Sequence, residues 1–202
     1  QNFPKDQLDT LKEALKRATS VYLVDTVIPM LPKTLSNGVC SLNPHEDKLT
    51  LSIFMEIDHK GDVVKYDIKE TVINSKARMT YTEVSDILEK DDEKLKATFA
   101  NLVDDFKHAE NLARILMGRR ERRGALDFDF PEAKIILNKE GEVVDIKHYE
   151  RRISNKMIEE FMLVSNETIA EHYFWMNVPV VYRIHETPSS EKMEQLSKFI
   201  AT

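Results

Sequence analysis

The stretch "ALDFDFPE" sets Asp127 and Asp129 two positions apart. On a strand both side chains point to one side, and paired carboxylates are hard ligands suited to Mg²⁺ in phosphodiester hydrolysis. The same spacing also describes a solvent face with Phe128 and Phe130 turned inward, which is the reading the pattern favours. "RRERR" at 119–123 places Arg119, Arg122 and Arg123 on one helical face. That face could contact phosphate, or it could be a solvated helix end where arginine complements the negative pole. A second, weaker basic group is Arg151, Arg152 and Lys156. Tyr22 and Tyr81 sit beside polar or proline-rich segments. They fit either aromatic platforms for bases or core positions.

A third candidate is a polar stripe on the segment "ISNKMIEEFMLVSNETIAEHYFWM". At about 100° per residue, Ile153, Met157, Phe161, Val164 and Thr168 share one face, and Ile158, Met162 and Ile169 form a second apolar arc. Lys156, Glu160, Glu167 and Glu171 read as a solvent strip. Arg152, Asn155, Glu159 and Asn166 make a polar stripe between the arcs. A helix apolar on two sides is largely buried, so these polar groups must find partners or line a cleft. The six histidines are too scattered for metal-ligand spacing, and the single cysteine excludes a disulfide framework or a cysteine zinc site.

The elements that would hold these residues alternate in type. Leu8, Leu11 and Leu15 predict a helix over 6–20, and "VYLV" (21–24) a strand. Pro29, Pro32 and Asn37-Gly38 enforce an irregular loop. Segments 48–58 and 63–80 predict a hairpin about the turn "HKGD". Thr80 with Glu83 three residues on is a capping box. One helix is predicted over 93–123, a second hairpin about Gly141, the long helix described above, a short strand "VVYRIHE", and a C-terminal helix. This is an α+β chain, antiparallel hairpins packed with helices. A net charge of −6 points away from whole-surface attraction to nucleic acid, leaving only local basic clusters for that role. No apolar run approaches spanning length and no basic-then-apolar leader is present, so a cytoplasmic protein without a membrane partner is expected.

Several long phrases carry more. "TSVYLVDTVIPMLPKTLSNGVCSLNP", "RMTYTEVSDIL", "RRERRGALDFDFPEAKIIL" and "ERRISNKMIEEFMLVSNETIAEHYFWMNVPVVYRIHE" resemble the catalytic domain of the ribonuclease II/ribonuclease R family. The match runs from about Leu11 to the C-terminus. The resemblance implies a processive, Mg²⁺-dependent, hydrolytic 3′→5′ exoribonuclease that releases nucleoside monophosphates. Its partner would be single-stranded RNA, threaded through a channel and clamped by aromatics. It further implies RNA contacts at Tyr22, near the terminal nucleotide; at Tyr81 and Phe128, which stack bases; and at Glu159, at the end of the RNA path. These four are expected to converge on one cleft. Arg152, Asn155, Asn166, Arg119, Arg122 and Arg123 are further candidates for lining it.

The sequence also departs from the family pattern. The metal-binding aspartate cluster, of the form D-x-x-D-x-D-D, should precede "TSVYLVD". Asp6 and Asp9 lie there without its context. The arginine-bearing "SPIRRYPD"-like segment and the OB-type cold-shock and S1 modules do not occur in these residues. Residues 1–202 therefore read as a single partial catalytic domain with no complete catalytic set and no bound Mg²⁺ of its own, inactive in isolation. The alternative is a catalytically dead RNA- or protein-binding module. Oligomerisation through apolar surface is a related expectation.

Overall fold

A computed structural model describes residues 5–127 and 132–201; within 5–8 only the backbone is described. Two compact units are present, the first ending at Val164 and the second beginning at Ser165.

The first unit opens with helix α1 (Lys5–Arg17), followed by two very short strands, β1 (Val21–Tyr22) and β2 (Val27–Ile28). β1 is shorter than the apolar run 21–24 suggests, because the chain reverses at once to pair Tyr22 with Val27. The proline-rich loop then winds into a π-helical turn, Thr34–Val39, and is tied back to α1 by the Arg17 guanidinium, which donates to the Pro29 carbonyl at 2.8 Å.

Two antiparallel hairpins follow the expected pattern: β3 (Asp47–Ile57) with β4 (Val63–Asn74), and β5 (Glu132–Leu137) with β6 (Val143–Tyr149). Between them lie α2 (Tyr81–Glu89), α3 (Glu93–Thr98) and α4 (Val103–Arg122). The capping box is formed: the Thr80 hydroxyl accepts from the Glu83 amide, and the Glu83 carboxylate accepts from the Thr80 amide. The single helix expected over 93–123 is instead two. Lys96 occupies the last turn of α3 and Asp104 and Asp105 the first turn of α4. These charges suit a C-terminus and an N-terminus there respectively, each favourable to its helix pole.

Helix α5 runs Ile153–Trp175. Its expected apolar face supplies the core: Ile153 and Met157 pack with Ala113 of α4, with Leu88, Ala109 and Phe161 around them. Removing such side chains from water is the main stabilising term, roughly 1.5–3 kcal/mol for each large one. Two other readings of this helix are corrected. Glu160, assigned to the solvent strip, is only 4% exposed, because α4 crosses there and its Arg120 reaches the carboxylate. Ile158 and Met162, expected to be buried, are 42% and 55% exposed and form a cleft wall.

In the second unit, the rest of α5 is followed by residues 178–189 without regular structure and then by α6 (Ser190–Ile200). The strand expected at "VVYRIHE" is not formed, since no partner strand accompanies it among the described residues of that unit. The Ser189 hydroxyl caps α6 by accepting from the Lys192 amide.

Candidate RNA-binding cleft

The first residue of α2, the last turns of α4, the root of the second hairpin and the first turns of α5 enclose a cleft of about 600 Å³. Each wall has a local cause. The Thr80 cap starts α2 at Tyr81, leaving that ring at the helix end and 48% exposed. α5 turns Asn155 and Glu159, one helical turn apart, to the same side, with Ile158 and Met162 beside them. β6 ends at Tyr149, whose hydroxyl accepts from the Asn155 amide at 2.9 Å.

The charges alternate along a chain. Arg151 donates to Asp127 at 2.6 Å and also to Glu159. Arg120 reaches Glu159 at 3.3 Å and the buried Glu160 at 2.9 Å. The Arg151 hydrogen bond holds the Asp127 carboxyl below the usual carboxylate range. Burial pushes Glu160 the other way, above its ordinary value, opposed by Arg120 and assisted by the neighbouring Glu159. The arginines are thus largely matched by acids. The rest of the lining is the Tyr81 and Tyr149 side chains, the apolar Leu126, Ile158 and Met162, the Asn155 amide and the Glu132 carboxylate, a surface that suits a base and ribose better than a phosphate.

The sequence-derived candidates divide. Tyr81, Asn155 and Glu159 meet in this cleft. Tyr22, 78% exposed, lines a different one with Pro29, Lys33 and Asn37, because the β1–β2 reversal and the anchored proline loop hold it there. Phe128 and Asp129 lie outside the described residues, and Asp127 stands outside any strand. Arg152 turns from the cleft to α2, where it meets Asp86 and Glu89, each at 2.7 Å. Asn166 lines a separate groove in the second unit with Val180 and Arg183. Arg119 and Arg122 grip the turn of the first hairpin, through Asp62 at 3.0 Å and the Lys60 carbonyl at 2.5 Å. The Arg123 amide closes α4 on the carbonyls of Arg119 and Arg120.

Sequence reasoning did not single out Arg120, Arg151 or Tyr149 as cleft residues. Arg120 was legible in part: on a helical wheel it falls off the face shared by Arg119, Arg122 and Arg123. Among the described residues no group of three or more His, Cys, Asp or Glu side chains is arranged to hold a metal ion. Asp127, Glu159 and Glu160, linked through Arg151 and Arg120, are all engaged by arginines. They do not fit a Mg²⁺ site, and no metal-dependent step is assigned to them.

Residues 3–202 match the RNB domain, and the chain belongs to the RNB domain family. It is 44% identical to Ribonuclease R 1 of Lactococcus lactis, over all of this chain and 24% of that protein. It is 48% identical to Ribonuclease R of Thermotoga maritima, over 94% of this chain and 26% of that one. Among solved structures it resembles Mycoplasma genitalium RNase R in complex with ribose-methylated single-stranded RNA. There the TM-score is 0.83 and the identity 28%, over 94% of this chain and 29% of that one. The chain therefore spans about a quarter of the length of the relatives it matches.

Proposed function

We propose that this chain forms an RNA-gripping wall of a 3′→5′ exoribonuclease, acting in the cytoplasm on single-stranded RNA. The observation that carries the reading is the meeting of Tyr81 of α2 with Asn155 and Glu159 of α5 in one open cleft. A likeness of 28% identity to a structure holding single-stranded RNA supports it. Tyr81 stacks on a base, while Asn155 and Glu159 offer polar partners to the ribose or base edge. Tyr22 and Phe128 are further contacts on the same strand of RNA, Tyr22 from its own cleft. Mg²⁺, which would activate water and steady the leaving oxygen in such a reaction, needs carboxylates other than those committed to Arg120 and Arg151. The 202 residues by themselves are therefore proposed to bind RNA without hydrolysing it. No described helix is long and apolar enough to cross a membrane.

Fluorescence anisotropy with a short labelled oligoribonucleotide tests the binding half. Stacking contributes about 1–3 kcal/mol per base, so Tyr81→Ala should weaken binding roughly ten- to a hundred-fold, with affinity falling as salt rises. Unchanged affinity with a lowered melting temperature would make Tyr81 a packing residue instead. A degradation assay with Mg²⁺ tests the other half, and robust monophosphate release by these residues alone would overturn it.

A further inference from the structure

Behind Tyr81 lies a polar junction that the cleft itself does not use. Ser85, one turn along α2, is fully buried, and Ser154, in the first turn of α5, is 3% exposed. Buried hydroxyls in an apolar setting are costly unless paired, and here the pairing has one consistent direction. The Ser154 hydroxyl donates to the Tyr81 carbonyl at 2.8 Å. Its only proton is then used, so in the 2.7 Å contact between the two hydroxyls Ser85 donates and Ser154 accepts. Ser85 in turn accepts from the Ser154 amide at 3.3 Å. The result is a closed relay that ends on the backbone of the cleft's aromatic residue.

A second clasp lies one turn further on. The Glu89 carboxylate accepts from the Arg152 guanidinium at 2.7 Å and from the Ile153 amide at 3.0 Å, capping α5 from a different helix. Asp86 takes another Arg152 nitrogen at 2.7 Å. Asn155, next to Ser154, and Glu159, one turn on, line the same cleft as Tyr81. Whatever fixes Ser154 against Tyr81 therefore fixes the gap into which a base would slide.

We infer that Ser85 and Ser154, backed by the Glu89–Arg152 clasp, are positioning residues that set the cleft width at Tyr81. This rests on the RNA-gripping reading above. The relay touches no RNA. It holds the α2 wall against the α5 wall, a role beyond supporting the fold.

The test is a double-mutant cycle in the intact protein, read by anisotropy and by quenching of a 2-aminopurine base in the oligoribonucleotide. Ser154→Ala should weaken binding roughly three- to ten-fold, the scale of one hydrogen bond, and reduce the quenching. In a Tyr81→Ala background the same change should have no further effect on binding, because the two act as a unit. Ser154→Thr, which keeps the hydroxyl, should restore quenching. If Ser154→Ala lowers only the melting temperature, or weakens binding equally in both backgrounds, the relay is structural and the inference is overturned. If Tyr81→Ala itself leaves binding unchanged, the RNA-gripping reading falls and takes this inference with it. Should Ser154→Ala fail to fold, Glu89→Gln tests the clasp by the same readouts: loss of quenching only while Tyr81 is present supports the inference, and unchanged quenching overturns it.

Discussion

The two hairpins share one turn and differ in what surrounds it. In "DHKGD" the Asp58 carboxylate accepts from the amides of Lys60 and Asp62. In "NKEGE" the Asn138 side-chain oxygen accepts from the amides of Glu140 and Glu142. Both turns place glycine in the left-handed region, Gly61 at φ 88° and Gly141 at φ 84°, and both strand pairs shift register beside the turn. Yet Gly61 is buried against α4, where an added Cβ would lie 3.0 Å from that of Arg119, whereas one added at Gly141 would meet nothing within 4 Å. One turn is docked and the other is free. The docked one braces the end of α4 that presents Arg120 to the cleft, while the free hairpin joins the cleft only at its root, through Glu132 and Tyr149. The same local chemistry thus builds a buttress in one place and a rim in another.

The largest effect that would separate the two is at Gly61. In Gly61→Ala a left-handed alanine, costing about 1–2 kcal/mol, must also displace Arg119 and approach the Ile115 carbonyl to 3.3 Å. Overpacking of that kind adds roughly 1–3 kcal/mol. A clear loss of stability in urea denaturation is expected. Gly141→Ala should show the backbone strain alone, offset in part by about 0.4–1 kcal/mol from the less flexible unfolded chain. Equal losses at the two glycines would break the distinction between docked and free.

The smallest effect at neutral pH is at Asp58. Backbone hydrogen bonds, first from Asp62 and also from Lys60, lower its pKa from the ordinary 3.8 despite some desolvation. A carboxyl with a lowered folded pKa stabilises the fold above its unfolded value, and that contribution is lost as pH falls through the folded value. Asn138 has no such titration. Hydrogen exchange below about pH 3.8 should therefore loosen the first turn and spare the second. Asp58→Asn should lower stability slightly at neutral pH, where the charged carboxylate contributes, and should remove the acid response. Loosening of both turns together would point to global acid unfolding instead.

Much of this organisation is legible along the chain. Alternation in "KLTLSIFMEID" and the turn residues after it specify a hairpin. Thr80 and Glu83 specify where α2 begins, and hence where Tyr81 stands. The spacing of Ile153, Met157, Phe161 and Val164 specifies the buried face of α5. The polar stripe identified Asn155 and Glu159, and both line the cleft. Other features were not legible, for a common reason. That Glu160 is buried depends on α4 crossing α5 at that turn. That Arg119 and Arg122 hold a hairpin while Arg120 faces the cleft depends on which neighbour each side of α4 meets.

Local periodicity and capping act over a few residues, so the sequence by itself determined most of the elements and many of their ends, but not the break between α3 and α4, the missing strand at "VVYRIHE" or the burial of Glu160. The partners of the packed faces are separated by long stretches of chain that include whole helices and strands. Ser85 meets Ser154 across 69 positions, Arg152 meets Asp86 across 66, and Arg119 meets Asp62 across 57. Pairings of that range depend on how buried surfaces fit once the helices pack, because a buried charge or hydroxyl is stable only where a partner happens to be within reach. Tertiary structure alone therefore decided which acids are matched by arginine, that Tyr81 and Tyr149 but not Tyr22 line the cleft walled by α5, and which hairpin turn is held.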